Sequence, residues 1–170
     1  MKRLAAAAAI GAIISAPATA EVRSASVDAM ILHFEGEVPL ARAAMWTRAG
    51  KVGSWWSDAH TYSGKAANMN VALKAGGCWC ETWKGGRVEH GRVTAIMDRD
   101  LLRFSAALGP LQELAVSGAL TITLADGATA GTTKVSLDYV VVGGSLSGLD
   151  KLAPIVDGVV GEQFARLIKP

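Results

Sequence analysis

Asp150-Lys151-Leu152-Ala153-Pro154-Ile155-Val156-Asp157-Gly158-Val159-Val160-Gly161-Glu162-Gln163-Phe164-Ala165-Arg166-Leu167 is the stretch that decides how this chain folds. Leu152, Val156, Val159, Val160, Gln163, Phe164 and Leu167 recur at the spacing of one helix face over several turns. Asp150 is placed to cap this helix. Pro154 falls in its first turn, where a missing N–H costs little. Gly158 and Gly161 lower helix propensity but admit a close neighbour. One long amphipathic helix closing the chain needs a large apolar surface to cover.

Upstream of it the period is that of strands. Met30, Leu32, Phe34 and Val38 alternate with Ile31, His33, Glu35 and Glu37, as on a half-buried strand. Pro39 opens a short helix, with Leu40, Ala43, Ala44 and Thr47 on one face and Gly50 as its stop. Val52 to Tyr62 reads as a second short helix carrying Trp55 and Trp56, closed by Ser63-Gly64. Six strands follow: from Met69 to Lys74, Cys78 to Lys84, Val88 to Met97, Leu102 to Leu108, Leu120 to Leu124 and Val135 to Val141. Tight turns such as Lys84-Gly85-Gly86 imply antiparallel pairing. The expectation is an α+β fold, a curved antiparallel sheet of about six to seven strands around the C-terminal helix. Two short helices after the first strand roof the space between sheet and helix.

The N-terminus reads as an export signal. Lys2 and Arg3 precede the apolar run Leu4 to Ile14, and Ala18-Thr19-Ala20 supplies a small-x-small cleavage pattern. That run is shorter than the roughly 20 residues a membrane-spanning helix needs. Residues 1–20 are therefore assigned to a signal peptide and 21–170 to one domain. The expected location is periplasmic or secreted, with no stable membrane anchor after cleavage. Without Lys2 and Arg3, basic and acidic residues balance. A neutral surface without basic blocks offers nucleic acid no electrostatic footprint.

All five tryptophans, Trp46, Trp55, Trp56, Trp79 and Trp83, crowd into one stretch with His60, Tyr62, Cys78 and Cys80. Such side chains are large, flat and polar at one edge. Two explanations stand side by side. Either they wall a cavity, or the bulky half of an ordinary core is local in sequence.

The order of elements, with Trp55-Trp56-Ser57-Asp58-Ala59-His60-Thr61-Tyr62-Ser63-Gly64, Gly76-Gly77-Cys78-Trp79-Cys80-Glu81, His90-Gly91-Arg92-Val93 and the terminal helix with Val156-Asp157, resembles the START-like superfamily. These are helix-grip proteins, also called SRPBCC or polyketide cyclase/dehydrase-like. The Gly-Gly-x-aromatic-x-Glu strand is similar to the branch named for the activator of the heat-shock-protein-90 ATPase. The resemblance implies a helix-grip fold. It leaves activity open, because carriers, hormone receptors, cyclases and cochaperones share that fold.

Cys78 and Cys80 lie two apart on one strand face, too far for a disulfide unless a bulge, such as one at Gly76-Gly77, draws them together. Free thiols are the first expectation, a bridge the second. A metal site comes last, for structural zinc wants four ligands. Trp79, Glu81 and Trp83 share the opposite face, which, with Leu73 inward and by the Gly-Gly-x-aromatic pattern of the resembled family, is assigned to the cavity. Glu81 is a candidate acid or base there; pairing with Arg92 or His90 is favoured instead. His60 is a second candidate, with Asp58 as its orienter. His33 is expected at the surface, and His90 has no assigned role. No nucleophile elbow or His-Glu-x-x-His string occurs.

The expected function is an exported domain holding a small apolar or aromatic ligand, with no cofactor and no metal. Trp46, Trp55, Trp56, Trp79, Trp83 and Phe104 would supply the wall, and His60, Tyr62 and Glu81 the polar contacts. A cyclase- or dehydratase-like enzyme using His60 or Glu81, and a non-catalytic periplasmic interaction or stress module, are the rivals.

Overall fold

The computed structural model describes residues 19–169. The assigned signal peptide lies outside them except for Thr19 and Ala20, which begin strand β1 (Thr19–Ser26). The expected cleavage point after Ala20 thus falls within a strand. β2 (Ala29–Val38) follows, then helix α1 (Arg42–Gly50) and three single 3-10 turns, Val52–Ser54, Asp58–His60 and Ala66–Asn68. The strands β3 (Met69–Val71), β4 (Cys78–Trp83), β5 (Gly86–Met97) and β6 (Leu101–Ser105) come next. A longer 3-10 segment (Gly109–Leu114) leads to β7 (Ser117–Asp126), β8 (Thr133–Val142) and the terminal helix α2 (Leu149–Ile168).

The eight strands form one antiparallel sheet in the order β1-β2-β8-β7-β6-β5-β4-β3. It has one strand more than the upper expectation, because β1 carries no apolar alternation and Val22 to Val27 are all exposed. The second expected helix is instead two 3-10 turns. Gly53, Ser54, Ser57 and Asp58 are poor helix formers, and Asp58 spends its carboxylate on the backbone N–H of Ala66 at 2.7 Å. In α1 the buried face is Met45 and Ala49, not the Ala43, Ala44 and Thr47 face. Pro154 lies beyond the first turn, because α2 already begins at Leu149.

Alternation decides what the sheet buries. Met30, Leu32 and Phe34 of β2 lie beside Val135, Leu137, Tyr139 and Val141 of β8 and Leu120, Ile122 and Leu124 of β7 on one face of the sheet, in one core. α2 packs across β1 and β2, where the rings of Phe34 and Phe164 meet at 5.8 Å. Gly161 makes room for that approach: a Cβ there would stand 3.1 Å from the Phe34 ring. Gly158 has open space around it.

Three side chains fasten the tryptophan segment to α2. Gln163 accepts from the N–H of Ser57 at 2.7 Å, Arg166 donates to the carbonyl of Trp55 at 2.8 Å, and Arg48 donates to the carbonyl of Leu167 at 2.7 Å. The roof is therefore tied to the helix by hydrogen bonds to backbone, two of them from charged groups. No helix among the described residues is long and apolar enough to cross a membrane.

Candidate functional site

β4 carries the interior groups forward as its pleat requires. Trp79 and Glu81 are 1% and 0% exposed, while Trp83 is half-buried over Gly86 at the turn into β5. Leu73 lies beyond the end of β3 and is exposed, so it does not share that interior face.

The rings beneath the roof form a solid cluster. Trp56 meets Trp55 at 5.6 Å and, edge-on, Trp79 at 5.1 Å; Trp79 in turn meets Phe104 at 5.2 Å. All four are buried. Tilted and edge-to-face contacts at such distances are the favourable geometries for aromatic pairs. The indole N–H of Trp55 donates to Arg48 and that of Trp56 to His60, both to carbonyls. The indole N–H of Trp79 has no partner. Trp46, on α1, is partly buried against the core.

The open space lies to one side of this cluster. It is a pocket of about 820 Å³ between the tryptophan segment, the Gly109–Leu114 turn and one face of α2. Leu108, Pro110, Leu111 and Leu114 form one wall, and Leu152, Ile155, Val156, Val159 and Val160 the other. Trp56, His60, Tyr62 and His90 close its end. Among the expected ligand contacts, Trp56, His60 and Tyr62 reach this lining; Trp46, Trp55, Trp79, Glu81, Trp83 and Phe104 do not. The aliphatic wall from Leu108 to Leu114 begins where the expected strand Leu102 to Leu108 ends, in a stretch with no expected element. Tyr139 holds that wall in place: its hydroxyl accepts from the N–H of Leu108 and donates to the carbonyl of Ala106, both at 3.1 Å. Burial raises the Tyr139 pKa to about 12, so this anchor keeps its proton.

Glu81 and His90 form a buried pair. A bulge between β4 and β5 pairs Trp79 with Gly91 and Cys80 with Glu89, leaving His90 opposite no residue. The extra residue breaks the alternation, so His90 and Gly91 are both buried. His90 Nε2 sits 3.0 Å from Glu81 Oε2. The N–H groups of Tyr62 and Ser63 also donate to that carboxylate, at 3.1 and 2.5 Å. Desolvation pushes the Glu81 pKa up, but the donors from Ser63, Tyr62 and His90 together bring it below the ordinary carboxylate value. His90 is shifted down as well, by desolvation, against an upward pull from Glu81. Both directions favour a carboxylate beside a neutral imidazole near neutral pH. Pairing with His90, the favoured sequence expectation for Glu81, describes the structure; Arg92 instead reaches Glu89 at 2.5 Å.

His60 lines the pocket and lies against Glu162, at 3.1 Å, and not against Asp58. Tyr62 is half-exposed beside it. His33 is only partly exposed and bonds Asp138 at 2.7 Å. Asp157, on α2 but outside the pocket lining, has a buried carboxylate oxygen without a partner, and burial raises its pKa.

Cys78 and Cys80 are joined in a disulfide, which corrects the expectation of free thiols. Their Cα atoms are 5.4 Å apart, against roughly 6.5 Å along a flat strand. The register shift beside them lies on the opposite strand, in β5, between the partners of Trp79 and Cys80. Cys78, Cys80 and Glu89 place three potential ligand atoms within 4.8 Å of one another, but sulfurs bonded to each other are not thiolate ligands.

No protein-family model matches the sequence, and no curated protein matches it either. Solved structures do. CalU16 from Micromonospora echinospora is similar with a TM-score of 0.53 and 9% identity, over 89% of this chain and 87% of that one. Truncated norcoclaurine synthase from Thalictrum flavum is similar with a TM-score of 0.56 and 12% identity, over 83% and 92%. A conserved protein of unknown function from Enterococcus faecalis reaches 0.57 at 10% identity, over 89% and 74%. The fold is the helix grip. At these identities the likeness is one of fold alone.

Proposed function

We propose that this protein is an exported, START-like (SRPBCC) domain that binds a small apolar molecule between the Gly109–Leu114 turn and α2. One observation carries the reading: a pocket of about 820 Å³ whose long walls are mainly aliphatic, with Glu113, Ser147 and Lys151 among them, and whose end carries two imidazoles and a phenol. Volumes of about 300–1,000 Å³ with few, convergent polar groups are typical of small-molecule sites. Export rests on the residue pattern of the first twenty positions, and the disulfide suits an oxidising compartment. A second reading, a proton-transferring enzyme of cyclase or dehydratase type, has the imidazole of His90 at the pocket in its favour. Glu81 takes no direct part in either, since its oxygens are occupied by Tyr62, Ser63 and His90.

A neutral naphthylamine dye, fluorescent only in apolar surroundings, tests the pocket. The wild-type protein is expected to bind it saturably, and Val156→Trp to abolish binding while keeping the wild-type circular dichroism and melting temperature. Undiminished binding by Val156→Trp would place the ligand elsewhere; no binding to the wild type would refute the pocket altogether.

A further inference from the structure

The β5 bulge does more than disturb a ladder. It turns His90, 4% exposed, inward to the end of the pocket, beside Tyr62 and Leu111. The hydrogen-bond bookkeeping around it is closed on one side. Glu81, fully buried, is held by two backbone N–H groups, and an ionised carboxylate accepts only. The 3.0 Å contact to His90 therefore requires Nε2 to carry the proton and donate it. In a neutral imidazole that assigns Nδ1 the lone pair. Exclusion from water, the dominant influence on His90, keeps the ring neutral. Among the described residues no group donates to Nδ1, and it is not sealed from the pocket. An acceptor that opens onto a largely apolar pocket favours a guest that brings it a donor, because a purely apolar guest would displace water and leave the lone pair without a partner.

We infer that the ligand is an apolar molecule bearing a hydroxyl, a phenol or an alcohol, whose O–H donates to Nδ1 of His90. Glu81 is then a positioning residue: it fixes the tautomer and never touches the ligand. The bulge acts at one further remove, by aiming the ring. This rests on the pocket reading above and narrows it from any apolar guest to one carrying a donor.

The test compares naphthol with methylnaphthalene, which has the same shape and a methyl in place of the hydroxyl. A hydroxyl buried without a partner would weaken binding relative to the methyl. The wild-type protein is expected to hold naphthol about threefold to tenfold more tightly, the worth of one hydrogen bond. In His90→Phe that preference should vanish while methylnaphthalene still binds. Because His90→Phe removes a donor from a buried carboxylate and can fail to fold, nitrogen NMR of the wild-type imidazole supplies a second readout. It should show the Nε2–H tautomer at neutral pH, with Nδ1 shifting on addition of naphthol. Equal binding of both probes, or an Nδ1–H tautomer, overturns the inference and leaves the pocket standing. If neither probe binds, the pocket reading fails and the inference with it.

Discussion

Two neighbouring regions of this molecule, both apolar, differ in whether they are full. Beneath the roof, Trp55, Trp56, Trp79 and Phe104 interlock with centroids 5.1–5.6 Å apart. Beside them the same interior opens into a pocket lined largely by Leu, Val, Ile and Pro. Trp56 belongs to both. Large flat rings from opposing elements fill space well. Aliphatic side chains on a 3-10 turn and on one helix face, held apart by the Tyr139 anchor and the roof ties, leave it unfilled. Aromatic density here marks where the fold is welded, and the guest's place is next door.

The contrast can be broken most forcefully by truncation. Trp79→Ala should cost about 3–5 kcal/mol, the usual range for an aromatic removed from a core. Ile155→Ala, at a pocket-wall position 64% exposed, should cost less than about 0.5 kcal/mol. Urea unfolding of the two variants measures the difference; similar losses would mean that the pocket wall is packed as tightly as the core.

Acid should act on the seam between the regions. Glu81 and His90 both titrate below their ordinary values in the folded state, so the unfolded chain takes up protons first. Stability contributed by His90 should decline as pH falls below about 6.5, the ordinary imidazole value, and that of Glu81 below about 4.5. Melting temperatures across that range should fall with pH. Flat behaviour between neutrality and about 5 would contradict a neutral buried imidazole.

The smallest expected effect lies outside the pocket. Asp157 has a raised pKa through burial and an unpartnered oxygen, so its charge opposes folding near neutrality. Asp157→Asn should raise the melting temperature by a few degrees at neutral pH, with the gain shrinking in acid as the wild-type carboxyl takes up its proton. Calorimetry at two pH values checks both parts.

The fold was largely legible because its signals are periodic. The alternation of Met30, Leu32 and Phe34 located β2, and the spacing from Leu152 to Leu167 located α2. β1 escaped because exposed Ser24 and Ser26 stand where an alternating strand would place apolar groups. The site was legible only by halves. Pattern distinguishes inside from outside, and it put Trp79 and Glu81 correctly inside. It does not say which part of the inside is filled, so cavity wall and solid core stay level as explanations of the tryptophans until the structure separates Trp55, Trp79 and Phe104, which are core, from Trp56, which also reaches the pocket. His90 hid behind its bulge, for a two-residue period reads Glu89 to Val93 without noticing a skipped partner. The Ala106 to Leu114 run carried one usable sign, three leucines around Gly109-Pro110 with too few polar residues for a plain surface loop.

The most direct measurement follows the indole N–H resonances of all five tryptophans while naphthol is titrated into the protein. Trp56, the one indole that both lines the pocket and bonds the carbonyl of His60 at 2.8 Å, should shift saturably. Trp46, Trp55, Trp79 and Trp83 should stay nearly still. Saturable movement concentrated at Trp79 and Trp55, with Trp56 silent, would put the guest among the clustered rings and contradict this account.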